Sequence, residues 1–178
     1  MKLFATLSAA ALVALPVAAP AALPIGATAP TFTTQAAHAG KPFAFSLKDA
    51  LRKGPVVLYF FPAAFTPGCT IEAHAFAEAS DEFRKAGATL VGMSADPIEK
   101  LQDFSVKECS SKFAVGTATP AMISGYDVKL ADTAKTNRTS YVISPEGKII
   151  FTYSAMNPAG HVKGTLAAVQ QWDAAHKP

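Results

Sequence analysis

"GPVVLYFFPAAFTPGCTIEAH", residues 54–74, decides the fold. Residues 56–61 are apolar without a break and rich in β-branched and aromatic side chains. Gly54-Pro55 bounds the run on one side and Pro62 on the other. A run of that length and make-up is a strand buried on both faces, central in a sheet. A helix follows within a few residues. Thr66 suits its N-cap and Pro67 its first helical position. Ile71, Ala75, Phe76, Ala79 and Phe83 recur at helical spacing as its apolar face, and Gly87 ends it.

The rest of the chain builds outward from this strand and helix. Residues 32–35 suit a short edge strand that pairs as a hairpin with residues 43–47, and residues 49–53 give a turn of helix at most. Residues 89–94 form the next strand. Asp96-Pro97 opens a second helix that turns Leu101, Phe104 and Cys109 inward. Residues 114–136 are mostly Ala, Thr, Gly and Pro and show no clear element beyond a short piece at Tyr126-Asp127-Val128. Residues 140–144 and 148–153 are strands joined by Pro145-Glu146-Gly147, a hairpin signal. Residues 161–175 form the last helix. A βαβ unit followed by a hairpin and a closing helix implies an α/β domain of thioredoxin-like architecture. Its mixed central sheet is flanked by helices and carries an N-terminal β-hairpin.

The chain has 178 residues, enough for one domain with a full core. Its start reads differently from the rest. Met1-Lys2 is basic, residues 3–17 are apolar and rich in Ala and Leu, and Ala19-Pro20-Ala21 offers small residues before a cut. That is the layout of a secretory signal peptide over residues 1–21, with the domain over 22–178. Pro16 and Pro20 break the apolar run, which argues against a membrane anchor, so the mature protein is expected in the periplasm or secreted. The formal charge is only +3, and no basic stripe appears. Neither nucleic acid nor stable membrane association is expected.

Only two cysteines are present, Cys69 and Cys109. If Thr66 caps the helix, Cys69 is the third helical residue. Unpaired N–H groups and the positive end of the helix dipole lie there, and both favour a thiolate, which is the nucleophile. Where a dithiol exchange site keeps its first cysteine, this chain has Thr66. A hydroxyl can hydrogen-bond the sulfur or a bound oxygen, but it cannot resolve a disulfide.

Pro62-x-x-x-Thr66-x-x-Cys69 is the motif of the peroxiredoxins, and "YFFPAAFTPGCTIEAHAF" resembles their bacterioferritin-comigratory, or Q-type, subgroup. "NRTSYVISPEGKI" from Asn137 resembles that family's strand led by an active-site arginine. The resemblance implies a thiol peroxidase that reduces hydrogen peroxide and organic hydroperoxides without a cofactor or metal. It makes Cys69 the nucleophile that becomes a sulfenic acid. It gives Thr66 hydrogen bonds to the thiolate and the peroxide, and makes Pro62 a wall of the pocket. Arg138 would stabilise the thiolate and the peroxide oxygens, and Glu72 would orient Arg138. Phe60, Phe61 and Phe65 suggest an apolar wall that tolerates alkyl hydroperoxides, although core packing is the first expectation for Phe60. The reductant would be a thioredoxin-like or glutaredoxin-like partner or a small thiol, and the protein a monomer or weak homodimer.

The resolving thiol is the open point. Some Q-type relatives keep it five residues after the peroxidatic cysteine, where this chain has His74, turned about 140° from Cys69 on the helix. Others keep it on the next helix, where Ser105 is the nearer match and Cys109 lies one turn later. Cys109 either resolves the Cys69 sulfenic acid or is a small buried residue in a one-cysteine enzyme. A permanent Cys69–Cys109 disulfide would instead leave an exported thioredoxin-like binding module.

Overall fold

The computed structural model describes residues 22–176, so the expected signal peptide lies outside the described residues. Its core is a seven-stranded mixed sheet in the order β2-β1-β5-β4-β3-β6-β7. β1 (Thr33–His38) and β2 (Lys41–Ser46) form the N-terminal antiparallel hairpin. The outer strand is β2. β1 pairs on its other side with β5 (Ala114–Thr117), so it is not the edge strand that its sequence suggests. β3 (Val56–Phe60) is central, parallel to β4 (Thr89–Ser94) and antiparallel to β6 (Thr139–Ile143). β7 (Ile149–Ser154) closes the far edge.

Side chains of β3 alternate between the two faces, as the pleat requires. Val56, Leu58 and Phe60 point to one core, with α1 (Leu47–Leu51) and α4 (Pro120–Gly125). Val57 and Tyr59 point to the other, which also holds Phe61 and is covered by α2 (Pro67–Lys85), α3 (Ile98–Lys107) and α5 (His161–His176). All five β3 residues are buried, which is why the segment reads as one apolar run. Cys69 belongs to the second face.

α2 ends as the sequence indicates. Gly87 takes φ +73°, and the Ala88 N–H reaches back 2.9 Å to the Phe83 carbonyl, a Schellman closure. Its buried face differs from the expected one. Glu72, Ala73, Phe76, Ala77, Ser80 and Phe83 are buried, whereas Ile71 is 60 % exposed. The inward stripe is fixed by Cys69 and runs on at three- and four-residue steps, and Ile71 falls outside it. Phe76 stacks on Tyr59 at 4.3 Å between ring centres, a contact worth about 0.5–1.5 kcal/mol beyond its burial.

Residues 114–136 contain two elements that the sequence did not declare, β5 and α4. α4 is nevertheless locally encoded. Thr119 accepts the Met122 N–H and Pro120 fills the first helical position, the same Thr-Pro pairing that opens α2.

Candidate active site

β3 runs into a tight loop that four hydrogen bonds hold in place. The Phe61 N–H donates to the Met93 carbonyl at 3.0 Å, and Thr136 Oγ1 donates to the Phe61 carbonyl at 2.6 Å. The Ala64 N–H donates to Asp96 Oδ2 at 2.7 Å, and Thr66 Oγ1 donates to the Ala63 carbonyl at 2.9 Å. Asp96 also accepts from Ser94 Oγ at 2.6 Å and from Lys100 Nζ at 2.7 Å. Burial alone would raise its carboxyl, but these bonds together outweigh burial and hold it below the usual carboxylate range. Phe65, at φ +64°, is a strained non-glycine residue directly before Thr66.

Thr66 stands at the N-cap of α2 with extended backbone, but its side chain makes no cap bond because its hydroxyl turns back to Ala63. Cys69 is 2 % exposed, a free thiol in the first turn of α2. Its sulfur accepts from Arg138 Nη2 at 3.4 Å. Arg138, which directly precedes β6, is itself 4 % exposed. Nη1 of Arg138 is bound to Glu72 Oε2, and Nε donates to the Met156 carbonyl at 2.9 Å. The guanidinium therefore has one side chain or carbonyl on each nitrogen, a planar fork fixed in three directions.

Glu72 is 1 % exposed. Burial pushes its carboxyl up to about 8, even though Arg138 pulls it down. Its second oxygen, Oε1, is buried without a hydrogen bond and lies 3.7 Å from His161 Nδ1. One buried cation thus faces two groups that can be negative, Cys69 and Glu72.

The structure brings Cys69, Arg138 and Glu72 together and leaves Thr66 and the half-buried Pro62 on the loop that leads into them. Cys109 is elsewhere than expected. α3 ends at Lys107, so Cys109 is not on the helix but in the turn beyond its cap, with its N–H on the Phe104 carbonyl. Burial raises its thiol, with Glu108 adding to the effect. It is a free thiol in the same apolar core as Cys69. Phe60 packs the core, as expected of it first, on the face of the sheet opposite Cys69. Phe61 stacks on Phe104 at 5.3 Å, and Phe65, 40 % exposed, packs edge-on against the same ring at 5.2 Å.

Three buried polar residues near the site carry no local sequence signal. Tyr59 is a fully buried phenol whose hydroxyl has no hydrogen-bond partner among the described residues. Burial raises it furthest, and Cys109, Glu72 and Cys69 add to this. His161 and Ser140 are buried behind Glu72 and bonded to each other at 2.8 Å. Only the folded topology joins these residues.

Residues 25–152 match the AhpC/TSA family. The chain is 31 % identical over 154 residues to peroxiredoxin Bcp of Xanthomonas campestris, covering 83 % of this chain and 88 % of that protein. It is also 31 % identical to chloroplastic peroxiredoxin Q of Sedum lineare, over 82 % of this chain and 77 % of the relative. Among solved structures, peroxidoxin BcpB of Mycobacterium tuberculosis superposes with a TM-score of 0.72 at 29 % identity, covering 86 % of this chain and 98 % of that one. Peroxiredoxin Q of Xanthomonas campestris superposes at 0.68 and 27 % identity, over 78 % and 90 %.

Proposed function

The chain belongs to the AhpC/TSA family and is a peroxiredoxin, a thiol peroxidase, and from that premise we propose that Cys69 is its peroxidatic nucleophile. The observation that carries this reading is the 3.4 Å contact between the buried Cys69 sulfur and Arg138 Nη2 at the start of α2. A guanidinium donor and a helix N-terminus both stabilise a sulfur anion, and the apolar surroundings strengthen the attraction.

The thiolate attacks the terminal oxygen of a hydroperoxide. The S–O bond forms as the O–O bond breaks, leaving Cys69 as a sulfenic acid and releasing an alkoxide or hydroxide that takes up a proton. Arg138 donates to the oxygens on which charge develops, and Glu72 and the Met156 carbonyl hold its plane. Thr66 has committed its proton to Ala63, so its oxygen remains as an acceptor for the O–H of the incoming peroxide. Pro62 walls the pocket and keeps water from the sulfenate.

Cys109 then resolves the sulfenic acid, forming a Cys69–Cys109 disulfide and water. A thioredoxin-like or glutaredoxin-like dithiol returns both thiols. The turn that holds Cys109 favours this role. Ser110 and Ser111 both take left-handed φ values, +50° and +55°, each costing roughly 1–2 kcal/mol, so the turn is poised to open. Residues 1–21 direct export, which places the reaction in the periplasm or outside the cell.

Peroxide consumption with purified protein and a dithiol donor tests the reaction, and unchanged turnover in Cys69→Ser would overturn it. Intact mass after one equivalent of peroxide tests resolution. Loss of two hydrogens supports Cys109, and a stable gain of oxygen excludes it. Finding the protein unprocessed in the cytoplasm would rule out export.

A further inference from the structure

His161 opens α5 and is completely buried, and the polar partners of its ring are Ala155, Ser140 and Glu72 rather than Cys69. Its contacts are specific. Nε2 lies 2.9 Å from the Ala155 carbonyl, and since a carbonyl only accepts, Nε2 carries a proton. Nδ1 lies 2.8 Å from Ser140 Oγ. Burial is the first cause that holds the imidazole below its usual range, with the charge of Arg138 working in the same direction. A neutral ring leaves Nδ1 as the acceptor of the Ser140 hydroxyl, with Glu72 Oε1 3.7 Å away. The titratable groups around the ring are Glu72 from α2, Arg138 ahead of β6, and Tyr153 of β7, packed edge-on at 4.7 Å.

Two neighbours of the His161 ring, the Ala155–Met156 segment and Glu72, hold Arg138. The Ala155 N–H donates to the Arg138 carbonyl at 3.2 Å, and the neighbouring Met156 carbonyl accepts Arg138 Nε. Residues 155 and 156 are thus clamped between Arg138 and His161. Ser140 is two residues beyond Arg138, on the same side of the strand. Glu72, whose free oxygen faces Nδ1, holds Nη1.

We propose that His161 is a positioning residue for the peroxidase reaction, fixing the Arg138 guanidinium on the Cys69 sulfur through its bond to the Ala155–Met156 segment, with Ser140 holding the ring against Glu72. This rests on Cys69 being the peroxidatic nucleophile.

The test uses His161→Asn, His161→Gln and Ser140→Ala in the full chain, with Cys69→Ser as control. Glutamine reaches as far as Nε2 and keeps a donor for the Ala155 carbonyl. Asparagine stops near Nδ1 and loses that bond. Two readouts apply: the pH midpoint of Cys69 alkylation, followed by peptide mass, and the separate kcat and KM for hydrogen peroxide. His161→Asn shifts the alkylation midpoint upward and lowers kcat/KM on the order of tenfold to a hundredfold, as misplacement of a catalytic donor does. His161→Gln recovers most of that loss. A purely structural histidine would lower the melting temperature in both variants without moving the midpoint. A folded His161→Asn with wild-type midpoint and rate overturns the proposal. Ser140→Ala removes one hydroxyl and supplies a second arm should His161→Asn not fold. It shifts the midpoint in the same direction, and an unshifted midpoint there also overturns the proposal. Activity retained in Cys69→Ser removes the underlying reading and this inference with it. An inactive Cys69→Ser beside unaltered His161 and Ser140 variants removes the inference alone.

Discussion

A methyl group on Gly68 would lie 3.2 Å from Nη2 of Arg138, the same nitrogen that reaches the Cys69 sulfur. Gly68 sits inside α2 and its own backbone does not need glycine. Alanine there should help the helix by roughly 0.5–1 kcal/mol while displacing the guanidinium by a few tenths of an ångström. Gly68→Ala is therefore expected to melt no lower than wild type yet to lose on the order of tenfold in kcat/KM for peroxide. Wild-type turnover in this variant would show that Arg138 does not act through that nitrogen.

Glu72 makes stability depend on pH with a definite sign. Its carboxyl is pushed up to about 8 in the fold, against 4.5 for an unperturbed group. Between those values the native state keeps a proton that the unfolded chain has released. The stability from that proton is fully present below about 4.5 and is lost as pH rises through about 8. The change is on the order of a few kcal/mol, since raising a carboxyl's pKa by one corresponds to about 1.4 kcal/mol. Urea unfolding between pH 5 and 9 should show this decline, and Glu72→Gln should flatten it. The amide also keeps an acceptor for Arg138 and cannot ionise. An undiminished slope in the variant would assign the decline to another group.

Tyr59 carries a buried hydroxyl with no hydrogen-bond partner among the described residues, and Phe61, Phe76 and Phe113 surround its ring. An orphaned buried polar group costs about 1–3 kcal/mol. Tyr59→Phe keeps the ring and removes the hydroxyl, so it should stabilise the protein by about 1 kcal/mol or more in denaturant unfolding with little change in peroxide turnover. A variant less stable than wild type would mean that the hydroxyl has a partner in solution.

These expectations also show how far local sequence reaches. Thr66 and Cys69 are legible as a helix cap and a first-turn thiol, whereas Glu72 and Arg138 enter only through the resemblance of the motif and of the strand that Arg138 leads. Sequence places Cys109 on α3, beyond the helix's true end, since nothing local marks Glu108 as the cap. It turns Ile71 to the wrong face because apolarity alone does not say which side of a helix meets the sheet. His161, Ser140 and Asp96 are silent for a different reason. Their partners lie on separate elements, and hydrogen bonds such as Ala64 to Asp96 exist only after β3, β4 and α3 have packed.

The tie between His74 and Glu108 bears on the resolving step. His74 Nε2 lies 2.9 Å from Glu108 Oε2, which fastens α2 to the residue directly before Cys109. If Cys109 resolves the Cys69 sulfenic acid, any shift of its turn along α2 on the way has to open this pair. Half of the His74 side chain is exposed, so the pair is worth no more than about 1 kcal/mol after screening. His74→Ala should therefore leave global stability nearly unchanged while speeding Cys69–Cys109 disulfide formation up to about fivefold, the kinetic counterpart of that energy. Rapid acid quench after one equivalent of peroxide, followed by mass analysis, measures the rate. An equal rate in both proteins would mean that the turn opens without releasing Glu108. Disulfide formation slower in His74→Ala would mean that the pair guides the two cysteines together.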